Sequence, residues 1–198
     1  GGGRVRGVAD IDLAAANGFG MDVRIDARNA LLIERDDLVA RVTGPIRLAS
    51  SGSGGEISGD VRLDSGSFRL GRAAAAEALP VINVREINLP TDRPQPRAVA
   101  APWRLNLRAR GEHDFEVTGL GLESEWATDI SVRGDVTNFA LTGTAELVRG
   151  DYIFAGRRFE LDSGTIRFTG STPIDPVLDI VAVDDIQGID ATIRVRGT

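Results

Sequence analysis

The sequence contains no cysteine and no lysine. Without cysteine there are no disulfides and no thiolate metal ligands, and the chain suits reducing and oxidising compartments equally. All 23 basic residues are arginines, set against 29 acids for a net charge of -6. They alternate with acids along the chain and form no basic run, which makes nucleic acid a poor partner. Aromatics are scarce at 5%, and no apolar run approaches the roughly 18 residues of a membrane span. The first residues, GGGRVRGVAD, do not have the form of a signal peptide. Opening on three glycines and stopping at RVRGT, the chain reads as a piece of something longer.

Catalytic signatures are also missing. There is no Gly-x-Ser-x-Gly elbow, no Gly-x-Gly-x-x-Gly fingerprint and no Walker loop. His113, the single histidine, stands among acids in GEHDFEV and reads as an exposed strand-end residue. Asp36–Asp37 and Asp184–Asp185 are acid pairs, but no loop places carboxylates at alternating positions before a closing Glu, as calcium would require. Glu123 and Glu125 are two apart and would share a strand face, most simply a solvated one. RGD occurs at 133–135 and 149–151, in both cases inside a glycine-spaced repeat that accounts for it. The expectation is a protein that is not an enzyme and needs no cofactor or metal.

What the chain does have is period-two alternation. MDVRIDAR (21–28) sets Met21, Val23, Ile25 and Ala27 against Asp22, Arg24, Asp26 and Arg28. The same pattern runs through 38–48, 56–63, 103–110, 129–136, 142–148, 164–170 and 190–197, separated by Gly, Asn, Asp and Ser. Such segments predict half-buried antiparallel strands with one apolar and one wet face. Two stretches differ. GRAAAAEAL (71–79), stopped by Pro80, predicts a short helix. PTDRPQPRAVAAP (90–102) predicts a loop or strap, because proline cannot donate to a sheet ladder. The expected organisation is a first strand-rich half (1–72), a helix and Pro-rich strap (73–102) and a second strand-rich half (103–198), joined in one continuous fold.

A repeat crosses that division. LDSGSFRLGR (63–72) returns as LDSGTIRFTG (161–170), with a looser copy, LVRGDYIFAG, at 147–156. The longer phrase ISGDVRLDSGSFRL (57–70) lies over LTGTAELVRGDYIF (141–154). The first glycine of each copy (Gly59, Gly143) is expected within a strand, at a bulge or close approach. The second (Gly66, Gly150, Gly164) is expected at a strand-to-strand turn with positive φ. The unit so predicted is a curved hairpin that stacks into an elongated sheet.

The apolar side is continuous across the second half: Ile130, Val132, Val136, Phe139, Leu141, Ala145, Leu147, Tyr152, Phe154, Phe159, Leu161, Ile166, Phe168, Leu178 and Ile180. Two architectures fit it. One is a sandwich whose second sheet closes the core. The other is a single curved sheet with an open apolar side, which something else must cover. A lipid acyl chain could do so, at about 0.8 kcal/mol per buried methylene.

The stretch VRGDVTNFALTGTAELVRGDYIFAGRRFELDSGTIRFTGSTPIDPVLDIVA (132–182) resembles the C-terminal region of the TamB family, most specifically in RGDYIFAGRRFELDSGTIRFTG and PVLDIVA. GLGLESEW (119–126) and GDVRLDSGSFRLGR (59–72) are similar to the family too. The resemblance implies an all-β fold, an elongated curved antiparallel sheet folded over into an open hydrophobic groove (a β-taco). It implies an inner-membrane-anchored protein that reaches through the periplasm to the outer-membrane barrel TamA. It also implies a role in assembling outer-membrane proteins and carrying phospholipid, with the apolar residues named above lining the groove. The membrane anchor and the final barrel-engaging segment of full-length members are not within this sequence.

Overall fold

The computed structural model describes residues 2–13, 20–71, 103–186 and 188–197. They form ten strands: β1 (Arg4–Asp12), β2 (Gly20–Glu34), β3 (Leu38–Gly52), β4 (Gly54–Arg69), β5 (Trp103–Gly119), β6 (Leu122–Asp135), β7 (Asn138–Phe154), β8 (Arg157–Thr169), β9 (Val177–Ile186) and β10 (Ile189–Gly197). Each pairs with its sequence neighbours in one sheet of order β1 to β10, curved and not closed into a barrel. Every alternating segment expected from the sequence lies on one of these strands, apart from the last residues of two of them, Val136 and Gly170. Among the described residues there is no helix and no second sheet, so the apolar side is not capped as in a sandwich. The expected helix at 71–79 and the strap at 90–102 fall outside the described residues, apart from Gly71 in a turn.

Two expectations need correction. The sheet is not antiparallel throughout, because β4 and β5 run parallel, Gly55 beside Trp103 and Arg69 beside Thr118. Local alternation fixes which face a side chain takes but not the direction of the neighbouring strand. The second correction concerns the repeat. Gly66, Gly150 and Gly164 lie inside β4, β7 and β8, not at turns, and none of them has a positive φ.

What the repeat encodes is a β-bulge. Arg41 and Val42 of β3 face Ser65 and Leu63, leaving Asp64 as the extra residue of β4. Glu125 and Trp126 of β6 face Arg149 and Leu147, leaving Val148 extra on β7. Leu161 and Ser163 of β8 face Ala182 and Val181, leaving Asp162 extra. The unpaired residue is each time the one directly after the repeat's leucine. An extra residue shifts the two-residue period by one, so a strand keeps one apolar face only if its apolar positions change phase there. They do. Along β4 and into the residue after it the face reads Ile57, Gly59, Val61, Leu63, then Gly66, Phe68, Leu70. In β7 it reads Leu141, Gly143, Ala145, Leu147, then Gly150, Tyr152, Phe154. In β8 it reads Phe159, Leu161, then Gly164, Ile166, Phe168. Further irregularities lie at Arg28–Asn29 opposite Thr43 and at 112–114 opposite Ala127. Together they form a band across β2 to β8. Bulges bend strands and increase local twist, so this band is where the sheet is creased.

The glycines that follow the bulges seat side chains from other strands. The ring of Phe115 occupies the position a Cβ on Gly66 would need. A Cβ on Gly164 would meet Trp126 Cη2 at 2.9 Å, and one on Gly55 would meet Trp103 Cζ3 at 2.7 Å. Large rings thus take up the space left by glycines on other strands. Three clusters result: Ala27, Ala30, Val42 and Val61; Val117, Trp126 and Ala145; and Phe159, Leu161 and Ala182. Val42 and Trp126 are each only 1% exposed, although the described residues form no second sheet.

Candidate functional site: an apolar face and a basic basin

Ladder pairing places the expected trough residues. Val132 faces Leu141, and Ile130 faces Gly143, which faces Phe168. Ala145 faces Ile166, which faces Leu178. Leu147 faces Trp126, Gly164 faces Ile180, and Tyr152 faces Phe159. These residues and Leu161 share one face with the clusters. Ala145, Phe159 and Leu161 are buried among their neighbours. Ile130, Val132, Leu141, Leu147, Tyr152, Ile166, Phe168, Leu178 and Ile180 are half-buried. Phe154 is 54% exposed at the end of β7 and stacks on Tyr152, ring centroids 6.1 Å apart. Val136 is separate: it lies in the β6–β7 turn, where its amide donates to Trp103 O at 3.0 Å. The apolar face extends beyond the residues expected. Val5 and Ile11 of β1 pair with Ala27 and Met21 and are about three-fifths exposed. The phase of RVRGVADID already carried that signal.

The opposite face is ionic. Arg47 grips both carboxylate oxygens of Asp22 at 2.9 and 2.8 Å, and Arg108 does the same to Asp129 at 2.9 and 2.6 Å. Arg196 donates to Asp179 at 3.0 Å. These hydrogen bonds from arginine hold the Asp22, Asp129 and Asp179 carboxyls below their ordinary range. Glu125 is lowered likewise, first by Arg149 and then by the Asp114 amide.

His113, Asp114 and Glu125 come together, with potential ligand atoms within 4.8 Å of one another. His113 is thus not at a strand end but at the crease of β5, where Asp114 takes φ 74°. Glu125, expected only as a solvated partner of Glu123, is brought in from β6 by strand pairing, which has no local signature. Its oxygens already accept from Arg149 and the Asp114 amide, and the His113 ring lies against the Asp114 carboxylate, so the trio is engaged in its own contacts.

The crease shapes two basins on the wet face. The larger, about 1070 Å³, mixes acids (Asp60, Glu112, Asp114, Asp129 and Glu146 among them) with Arg62, Arg110 and His113, and shares Thr43, Arg62 and Asp64 with its neighbour. The smaller, about 760 Å³, is lined by Gly2, Arg4, Arg28, Asn29, Arg41, Thr43, Arg62, Asp64 and Ser65. Four arginines there meet a single carboxylate. These arginines are spread through an alternating sequence, and only the pairing of four strands collects them.

Among the described residues no helix is long and apolar enough to cross a membrane. A search of curated proteins finds no match. The family model described as the TamB C-terminal domain matches residues 1–198, the whole chain.

Proposed function

Because the chain belongs to the TamB C-terminal domain family, which acts in the translocation and assembly module and spans the periplasm, we propose that it forms part of a non-enzymatic periplasmic conduit. Its apolar face shields phospholipid acyl chains, or the apolar side of nascent outer-membrane strands, between the inner and outer membranes. The supporting observation is one apolar face carried across ten strands of an open sheet, with no second sheet among the described residues. Ile130, Val132, Leu141, Leu147, Tyr152, Phe154, Ile166, Phe168, Leu178 and Ile180 are its contact residues, and Ala145, Phe159 and Leu161 its floor. In the full-length protein, TamA is the outer-membrane partner. The outer edges at β1 and β10, unpaired among the described residues, offer backbone groups to a client strand.

A structural spacer is the second reading, favoured by the near-complete burial of Trp126 and Val42 by the chain's own side chains. Mass spectrometry of the purified chain and labelling with a spin-labelled fatty acid separate the two. Co-purified phospholipid, with labelling abolished by Leu141→Arg or Phe168→Asp while the β-type circular dichroism persists, supports the conduit. A lipid-free chain that refuses the fatty acid overturns it in favour of the spacer.

A further inference from the structure

The smaller basin has no part in shielding apolar groups, since it lies on the wet face, across the sheet from the trough. Its arginines come from four strands. Arg4 of β1 and Arg28 of β2 stand directly opposite in the ladder. Like charges so placed repel and destabilise the pair. Arg41 of β3 reaches the same place, spending one guanidinium nitrogen on Asn29 O at 3.4 Å. Arg62 of β4 is the fourth, held by Asp64 through contacts of 3.2 and 2.8 Å.

Two bulges converge the four. Asn29, at φ 47°, donates its amide to Thr43 Oγ1 at 2.8 Å. Thr43 in turn donates to Asp64, the extra residue of β4. The Asp64 carboxylate is therefore occupied by Thr43 and Arg62. No ion pair among the described residues neutralises Arg4, Arg28 or Arg41. In a chain of net charge -6, this concentration of unneutralised guanidinium calls for an anion.

We propose that the basin formed by Arg4, Arg28, Arg41 and Arg62 at the double bulge is a binding site for a phosphate group. Planar guanidinium forks give paired N–H donors to phosphate oxygens, and several forks from different directions suit a tetrahedral anion better than a single carboxylate. The bound anion also relieves the Arg4–Arg28 repulsion. A lipid headgroup and a soluble phosphate share this chemistry.

Titration calorimetry with inorganic phosphate and glycerol 3-phosphate, alongside flotation with phosphatidylglycerol and phosphatidylcholine vesicles, tests the site. Saturable binding is expected that weakens about tenfold or more in Arg28→Gln/Arg41→Gln, as loss of charge-assisted hydrogen bonds predicts. Arg104→Gln/Arg167→Gln, which removes the same charge outside the basin, retains wild-type binding. Saturation by either soluble phosphate identifies a free anion; binding confined to phosphatidylglycerol vesicles identifies a headgroup. Arg4→Gln, on the exposed edge strand, repeats the test if the double variant loses its β-type circular dichroism. Absence of saturable binding in both arms, or equal weakening in the control variant, overturns the site. Neither result depends on whether acyl chains occupy the opposite face.

Discussion

The indole of Trp126 on β6 reaches across β7 to lie over Gly164 on β8, filling the space a side chain there would need. The relationship ties the repeat's glycine to the most buried aromatic of the sheet. Gly164→Ala places a methyl 2.9 Å from Cη2 and 3.1 Å from Leu147 Cβ. A loss of about 1–3 kcal/mol is expected from overpacking. Trp126→Ala leaves the complementary void and costs about 3–5 kcal/mol. Chemical denaturation measures both. A Gly164→Ala variant as stable as wild type means the indole does not rest there.

The bulge makes a sharper prediction. Asp162 is exposed and unpaired in the ladder, so Asp162→Ala changes stability by no more than about 0.5 kcal/mol. Deleting Asp162 removes the phase shift and turns Gly164, Ile166 and Phe168 toward the wet face, or Phe159 and Leu161 if the slip runs the other way. Expression of the deletion variant is expected to yield aggregate, read by size-exclusion chromatography. A monodisperse, stable deletion variant contradicts the proposed role of the repeat.

Acid should weaken the wet face. Asp22, Asp129 and Asp179 sit below the ordinary 3.8, and Glu125 below 4.5, because arginine bonds their charged forms. Depressed carboxyl pKa values contribute stability that is complete above the unfolded-state values and is lost as pH falls through the folded-state ones. Denaturation midpoints should therefore be level from neutral pH to about 5 and fall below about 4. Asp129→Asn should flatten part of that fall. Midpoints that rise on acidification would exclude the mechanism.

Among the described residues β1 and β10 each have a ladder neighbour on one side only, and β1 is exposed along its whole length. Concentration-dependent self-association by edge pairing is expected in sedimentation velocity. Ala9→Pro removes an amide donor from β1, and reduced association is expected if that donor faces outward. Sedimentation independent of concentration at high protein loading would show that the edges do not pair.

Much of the sheet was legible because alternation between water and apolar surroundings is written residue by residue. Eight strands carry that pattern openly, and Leu178 and Ile180 of β9 were recognised by their apolar character. The meaning of LDSG was harder. A glycine after Asp and Ser carries the same local signal at a turn as beside a bulge. The distinguishing mark lay further out, in the change from Ile57, Val61 and Leu63 to Phe68 and Leu70. The parallel β4–β5 seam and the gathering of Arg4, Arg28, Arg41 and Arg62 had no local signature. Both arise from which strand lies beside which, a property of the assembled sheet.

In a ribbon ordered β1 to β10, each strand takes its ladder bonds only from the strands before and after it. Duplicating one bulged strand pair in the gene would lengthen such a ribbon by a fixed increment while leaving existing neighbours in register. Reach can then be tuned in evolution without redesigning an interior.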